Sequence, residues 1–294
     1  MGRLILNADD FGLTAGVNRA ILELHRAGVL TSTSLMSRAA ATDEAIEMAR
    51  ATPSLGVGCH VVLVDGEPVL SPTRDVPNLA DPNSGRFRPS LSGLLRWLYG
   101  FDRSSVSTHK VVDREIEAET TAQINLLHAN GLRLTHIDTH KHAHMFPAVL
   151  RPVLRAARAA GIRVVRNPFE PAWSRRATHG APWIRRAEVR LLRLLEPTFR
   201  RIVAEEGLAT TDGAIGVLAT GILDSKVVSS LLQSLPAGTW ELVTHPGYND
   251  SDLAQAHTRL LASRETEREA LSALEQFPGI ERISFADLLR NQNY

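Results

Sequence analysis

The chain is 294 residues long and 44% hydrophobic, enough to bury the core of one large α/β domain or two smaller ones. Its 33 basic and 32 acidic residues leave a formal charge of +1, which argues against a nucleic-acid partner, and its one cysteine, Cys59, excludes an intrachain disulfide framework. The opening apolar run, Leu4-Ile5-Leu6, is too short for a secretion signal and no window approaches the ~18 uncharged residues of a spanning helix, so the expected location is cytoplasmic.

Short apolar runs alternate with helical patterns along the chain. Leu4 to Leu6 predicts a buried strand ending in Asn7-Ala8-Asp9-Asp10, and Val17, Ile21 and Leu24 predict a helix stopped by Gly28. Residues 31–36 predict a second strand, Thr42 or Asp43 caps a helix running to Ala51, and 56–63 predicts a third strand. Residues 65–108 are rich in Pro, Gly and Ser and are expected to form a loop insertion of the kind that serves as a substrate lid. A long amphipathic helix is expected from His109 to Asn130, then a strand at 134–138, a helix at 148–160 and a strand at 162–165. Strands at 214–218 and 240–244 flank a helix at 225–235; a helix at 255–276 and a short strand at 280–285 end the pattern. This alternation predicts a parallel sheet with helices outside it. Seven or eight units favour an irregular (β/α) TIM-like barrel in a single α/β domain, with insertions at about 65–108 and 168–213.

The histidines are unevenly spread. Four of eleven, His136, His140, His142 and His144, surround Asp138 in the run Thr-His-Ile-Asp-Thr-His-Lys-His-Ala-His-Met-Phe-Pro. Histidine is the commonest protein metal ligand, and strand ends feeding loops are where α/β enzymes place their chemistry. Asp9-Asp10 and His245 also follow apolar strands, so in a barrel all three clusters meet at one mouth. Adjacent carboxylates at Asp9 and Asp10 repel unless a cation or proton intervenes; they read either as a metal ligand beside a base or as a helix cap beside an exposed acid. His60 lies inside an apolar strand, where a lone imidazole is ordinarily a hydrogen-bonded core residue. Its neighbour Cys59 faces the opposite way and reads as a packed thiol. The chain is expected to curl after Thr139, so at most one or two cluster histidines are ligands, while the rest orient ligands, line a pocket or cap the helix at Pro147. His245, held extended before Pro246, reads as a general acid or a loop histidine; Arg166 as a holder of a catalytic carboxylate or a surface residue. His25, His109, His128, His179 and His257 read as solvated.

Together these stretches resemble the YdjC-like carbohydrate deacetylases, which include chitooligosaccharide deacetylase: Leu-Asn-Ala-Asp-Asp-Phe-Gly-Leu at the start, Gly-Val-Gly-Cys-His-Val-Val-Leu at 56–63, the histidine run at 135–147 and Thr-His-Pro-Gly at 244–247. Within that family the chain is most similar to the hopanoid-biosynthesis-associated branch. The resemblance implies a TIM-barrel-like fold, one divalent cation (Mg²⁺ or Zn²⁺) and removal of N-acetyl groups from amino sugars. It implies Asp10, His60 and His140 as metal ligands, Asp9 as general base and His245 as acid, leaving His136, Asp138, His142 and His144 to support ligands or substrate. Residues 168–213 match no motif of the family.

Residues 173–201 carry eight arginines against two glutamates, interleaved with leucines and Trp183. This reads as a basic amphipathic helix. Either it lies on anionic lipid at the inner face of the membrane, suiting a glycolipid such as an N-acetylglucosaminyl hopanoid, or it packs on the barrel or in a homodimer contact. Two rivals to a deacetylase remain: a metal-dependent hydrolase of phosphoesters or ring amides, and a sugar-binding barrel without catalysis.

Overall fold

The computed structural model describes residues 2–99, 106–256, 258–274 and 279–289. Its central strand, β1 (Gly2–Phe11), is buried along almost its whole length, so it must be covered on both faces. Parallel to it run β2 (Ser32–Leu35), then β3 (Gly56–Val61) and β4 (Ile137–Thr139) on one side; β5 (Gly213–Ile215) and β6 (Gly238–Thr244) complete the order β4-β3-β2-β1-β6-β5. A last strand, β7 (Ile280–Arg282), pairs with the first residues of β1. Every pairing is parallel, so every connection crosses over outside the sheet. The crossovers contain α1 (Ala15–Arg26), α2 (Thr42–Arg50), α3 (Leu91–Tyr99), α4 (Val106–Ala129), α5 (Pro147–Ala159), α6 (Ala172–Ala177), α7 (Trp183–Leu192), α8 (Glu196–Glu205), α9 (Ser225–Gln233), α10 (Ser251–Gln255) and α11 (Ala262–Ser272).

The molecule is thus one α/β domain built on a curled parallel sheet, a half-barrel with helices around it. Single bridges, Ile137 to Val165 and Val164 to Ala209, carry the curl beyond β4. The strand expected at 162–165 is reduced to these bridges at Val164 and Val165. Two apolar layers result. The larger lies between sheet and helices and includes Cys59, which is fully buried on the face opposite His60. The smaller lies inside the curl, where Ile5, Val164, Ile283 and Phe285 form a floor. Along β1 the inward positions climb from this floor: Ile5, Asn7, Asp9.

Several expected elements differ in detail. The insertion at 65–108 contains α3 and the start of α4; its residues 100–105 lie outside the described residues. Thr42 begins α2 without capping it, its hydroxyl being engaged with Met36 O and Ala39 N. The helix expected at 255–276 is two, α10 and α11, with residues 257 and 275–278 outside the described set. The final strand stops at Arg282, since Ser284 and Asp287 form a capping box that starts a 3₁₀ turn at Phe285. The basic stretch 173–201 is not one helix. Pro182 and Pro197 break it into α6, α7, a 3₁₀ turn (Arg193–Leu195) and α8. His25 is anchored rather than solvated, with Nδ1 2.8 Å from Leu30 O and Nε2 2.8 Å from Ser54 Oγ. His179 is exposed and His128 half-buried, while the side chain of His109 and all of His257 lie outside the described residues.

Candidate active site

Neighbours on a regular strand face opposite ways, so Asp9 and Asp10 should diverge. They do not, because the β1–β2 register slips between Ala8 and Phe11 and Asp10 adopts the left-handed conformation, φ 64°. This β-bulge turns both carboxylates toward the same side, the use bulges commonly serve next to active sites. A second irregularity follows β4. Lys141 and His142 sit at φ 55° and 52°, the curl expected after Thr139, and this brings His140 back over the strand ends.

Asp10, His60 and His140 consequently converge. Their donor atoms lie within 4.8 Å of one another. Asp10 Oδ1 is 3.5 Å from His60 Nε2 and 3.3 Å from His140 Nδ1. That oxygen is buried and accepts no hydrogen bond, whereas Oδ2 is held by Arg264 from α11. Burial raises the pKa of Asp10, yet Arg264 and the two imidazoles hold it well below the usual carboxylate range. His140 keeps 18% of its side chain exposed and marks the opening to solvent.

His60 and Asp138 are cross-strand partners of β3 and β4, which sets His60 Nδ1 2.8 Å from Asp138 Oδ1. A carboxylate can only accept, so Nδ1 carries the hydrogen and Nε2 is presented to Asp10. Burial would lower the His60 pKa, but Asp138, Asp9 and Asp10 raise it to about 10. Beneath them Arg166 is fully buried, which rules out its surface reading. It grips Asp9 with two bonds, 2.8 and 2.6 Å, pairs with Asp138, and donates from Nε to Glu241 at 2.8 Å. Burial raises the Asp9 pKa; Arg166 and His60 outweigh it and leave the carboxyl below its ordinary value. Asp9, His60 and Asp138 also lie close enough to form a second ligand-like group, but the Arg166 guanidinium already pairs with both of these carboxylates and occupies the space beside them.

The other candidates occupy distinct positions. His245, beyond β6, places Nε2 3.8 Å from Asp9 Oδ2, and its backbone N donates to Glu267 at 2.6 Å. Burial lowers its pKa to about 4, so its ring is neutral at pH 7. His136 lies on the floor, stacked at 3.9 Å on Phe285, with Nε2 3.2 Å from Ser34 Oγ. Ser34 Oγ in turn donates to Asp138 Oδ2 at 3.0 Å, so His136 supports the site from below without reaching its opening. His144 ties the curled loop down, through Thr139 Oγ1 at 2.8 Å and Arg166 O at 3.3 Å. The Nδ1 of His142 is buried without a partner, and burial holds that ring well below its ordinary pKa.

The model of the family described as YdjC-like protein matches residues 3–276. The chain belongs to the YdjC-like family. This YdjC-like protein is 29% identical over 272 residues to a carbohydrate deacetylase of Thermoanaerobacter pseudethanolicus, covering 92% of this chain and 91% of the relative. A second relative of that name, from Brevibacillus brevis, is 44% identical over 155 residues, a match spanning 53% of this chain and 55% of that protein. Among solved structures, a protein of Enterococcus faecalis provisionally described as a cellobiose-phosphate cleavage protein superposes with a TM-score of 0.72 at 26% identity, covering 98% of each chain.

Three groups of the YdjC-like protein's site escaped the sequence reading. Arg264 and Glu267 lie one turn apart on α11, where charged residues ordinarily read as a solvated helix face, yet both are buried. Glu241 had a readable signal. It interrupts the apolar run Trp240-Glu241-Leu242-Val243 at a position facing the inside of the curl, opposite Ile5 of β1.

Proposed function

We propose that this protein is a metal-dependent deacetylase that hydrolyses the N-acetyl group of an N-acetylglucosamine-containing carbohydrate or glycolipid. The observation that carries the reading is the orphaned Asp10 Oδ1, buried between two imidazole nitrogens with a second carboxylate, Asp9, alongside. The donor set fits a cation. Two nitrogens and one oxygen suit Zn²⁺, with Mg²⁺ the oxygen-preferring alternative, and a proton raised onto His60 is what such a site holds when no cation neutralises its carboxylates. Asp10, His60 and His140 would be the ligands, with Arg264 and Asp138 fixing two of them. When bound, the ion supplies Lewis-acid polarisation of the amide carbonyl and lowers the pKa of water.

The chain's own residues perform the proton transfers. Asp9 takes a proton from the attacking water at Oδ2, where Arg166 leaves a lone pair free, Oδ1 being occupied by Arg166 and Asn7, and Arg166 keeps the carboxylate aimed. His245 is neutral, so the proton it hands to the departing sugar amine is the one Asp9 has collected 3.8 Å away. The same reading treats the curled sheet as an irregular TIM-like barrel closed through the bridges at Val164 and Ala209, with 65–108 and 168–213 inserted into one domain.

The test combines metal analysis with acetate release from chitooligosaccharides and from amino-sugar lipids, including an N-acetylglucosaminyl hopanoid. Acetate released only by metal-loaded protein supports the reading. Phosphate from a phosphoester panel and no acetate would replace it with the phosphoesterase, and sugar binding without turnover under any metal would leave a binding protein.

A further inference from the structure

The segment between the site and α8 has an unusual surface. On α7 and the turn after it, Trp183, Ile184, Ala187, Leu191 and Leu194 fall within one arc of roughly 100° at helical spacing, and all of them are exposed. Trp183 is 77% exposed and Leu194 73%. Scattered exposed apolar residues need no explanation, but a contiguous strip headed by a tryptophan does. The helix itself is firmly seated. Val189 is buried, Arg186 donates to Arg175 O and Thr178 O, and Arg185 Nη2 donates to Val217 O at 3.2 Å. Val217 follows β5, so α7 stands at the rim where the strands end, the same rim as the candidate site, with the strip on its outer side.

Charge says what covers it. Residues 173–201 carry eight arginines and two glutamates, a local charge of +6 in a chain whose total is +1. Among the described residues Arg176 and Arg190 are exposed with no acidic partner, and Arg190 borders the strip next to Trp183 and Leu194. Burial and the crowding of Arg193, Arg190 and Arg176 depress the pKa of Arg175 against the pull of Glu170, and Arg185, Arg193, Arg200 and Arg201 are paired with glutamates, so the uncompensated charge lies at Arg175, Arg176, Arg186 and Arg190. A second copy docking by a two-fold axis would set this basic face against itself, Arg190 toward Arg190. An anionic bilayer presents the opposite sign, takes tryptophan and leucine at its interface and leaves arginines among the headgroups.

We propose that α7 is a membrane-docking face, which seats the protein on anionic lipid with its active-site rim toward the bilayer. The inference concerns this surface alone and stands whatever bond the site hydrolyses.

Co-sedimentation of the full chain with vesicles rich in phosphatidylglycerol, at low and high salt, tests it. Binding at low salt is expected, weakened by high salt and absent from pure phosphatidylcholine, with a blue shift of tryptophan emission that Trp183→Phe removes. Trp183→Ala combined with Leu194→Ser is expected to cut the partition coefficient by at least about tenfold, and Arg190→Glu by about tenfold through its two-unit charge change. Both variants should hydrolyse a soluble substrate as the parent does. Absence of vesicle binding at low salt overturns the proposal. So does a dimer in sedimentation velocity that these substitutions dissociate, since the strip would then belong to a second copy.

Discussion

Asp9 has both oxygens against Arg166, and that pairing decides what kind of base it can be. The guanidinium fixes its direction and keeps it ionised, at the expense of basicity, so its contribution must come from placement. Asp9→Asn keeps the shape while removing the proton acceptor. The expected result is unchanged metal content with turnover reduced about 10²- to 10⁴-fold, read by metal analysis and acetate release on the same preparation; near-normal turnover would show that Asp9 is not the base. His60 yields a second prediction. Its ring is raised to about 10 when no cation is present, so at pH 7 the ligand nitrogen is protonated and a cation must displace that proton. Calorimetry in buffers of differing ionisation enthalpy should report release of about one proton per ion, and affinity should fall about tenfold per unit as pH is lowered. Metal binding without proton uptake by the buffer would place the ion elsewhere. At this scale the sequence was informative where polar residues follow an apolar strand, as Asp9, Asp10 and His245 do and as the histidine run with His140 does, whereas His60, inside its strand, was singled out by the family resemblance alone. It was silent on Arg264, because nothing in a helical pattern separates a buried arginine from a solvated one until the tertiary partner is known.

Elements position these residues by their irregularities more than by their regular geometry. The convergence of Asp9 and Asp10 depends on a bulge, and that of His140 on two consecutive left-handed residues, neither of which the spacing of apolar residues encodes. The parallel alternation of strands and helices and the helix stops were legible, since Gly28 and Gly161 end α1 and α5 at φ 75° and 82° as a C-terminal glycine should. The close approach of β3 to the chain entering β4 was not. A Cβ at Gly58 would stand on the ring atoms of His136, which cannot retreat because Phe285 stacks on its other side. Gly58→Ala is therefore expected to destabilise the fold by about 1–3 kcal/mol through overpacking. Pairing it with His136→Ala should recover part of the loss, and additive effects in a thermal-melt cycle would show that the two positions do not touch.

Over the whole molecule, the curl gathers charge in a place that a nearly neutral composition conceals. Five acids, Asp9, Asp10, Asp138, Glu241 and Glu267, are buried near two arginines, Arg166 and Arg264. The arginines hold the three aspartates ionised, and the excess appears on the glutamates. Burial raises Glu241 and Glu267 to about 7 against the attraction of the arginines, with other acids of the cluster adding to the rise. Their ordinary value is 4.5, so between about 4.5 and 7 these two glutamates bind more protons in the folded state than in the unfolded chain, while His136, His142, His144 and His245, lowered by burial, bind fewer. The glutamates' contribution to the stability of the chelator-treated protein is therefore lost as pH rises through that window, while the contribution of the buried histidines grows up to their ordinary value of 6.5. Each glutamate accounts for a change on the order of 3 kcal/mol. The aspartates, lowered in the fold, act in the opposite sense and only at more acid pH. Glu241→Gln should remove that residue's falling contribution, so that the variant gains stability relative to the parent as pH rises from about 5 to 7, since the amide has no proton to lose, and a divalent cation should restore stability near pH 7 by replacing the missing positive charge. Denaturant titrations from pH 4.5 to 8, with and without Zn²⁺, measure all three effects. A slope that Glu241→Gln leaves untouched would mean that the buried acids are neutralised by something other than the arginines and the cation.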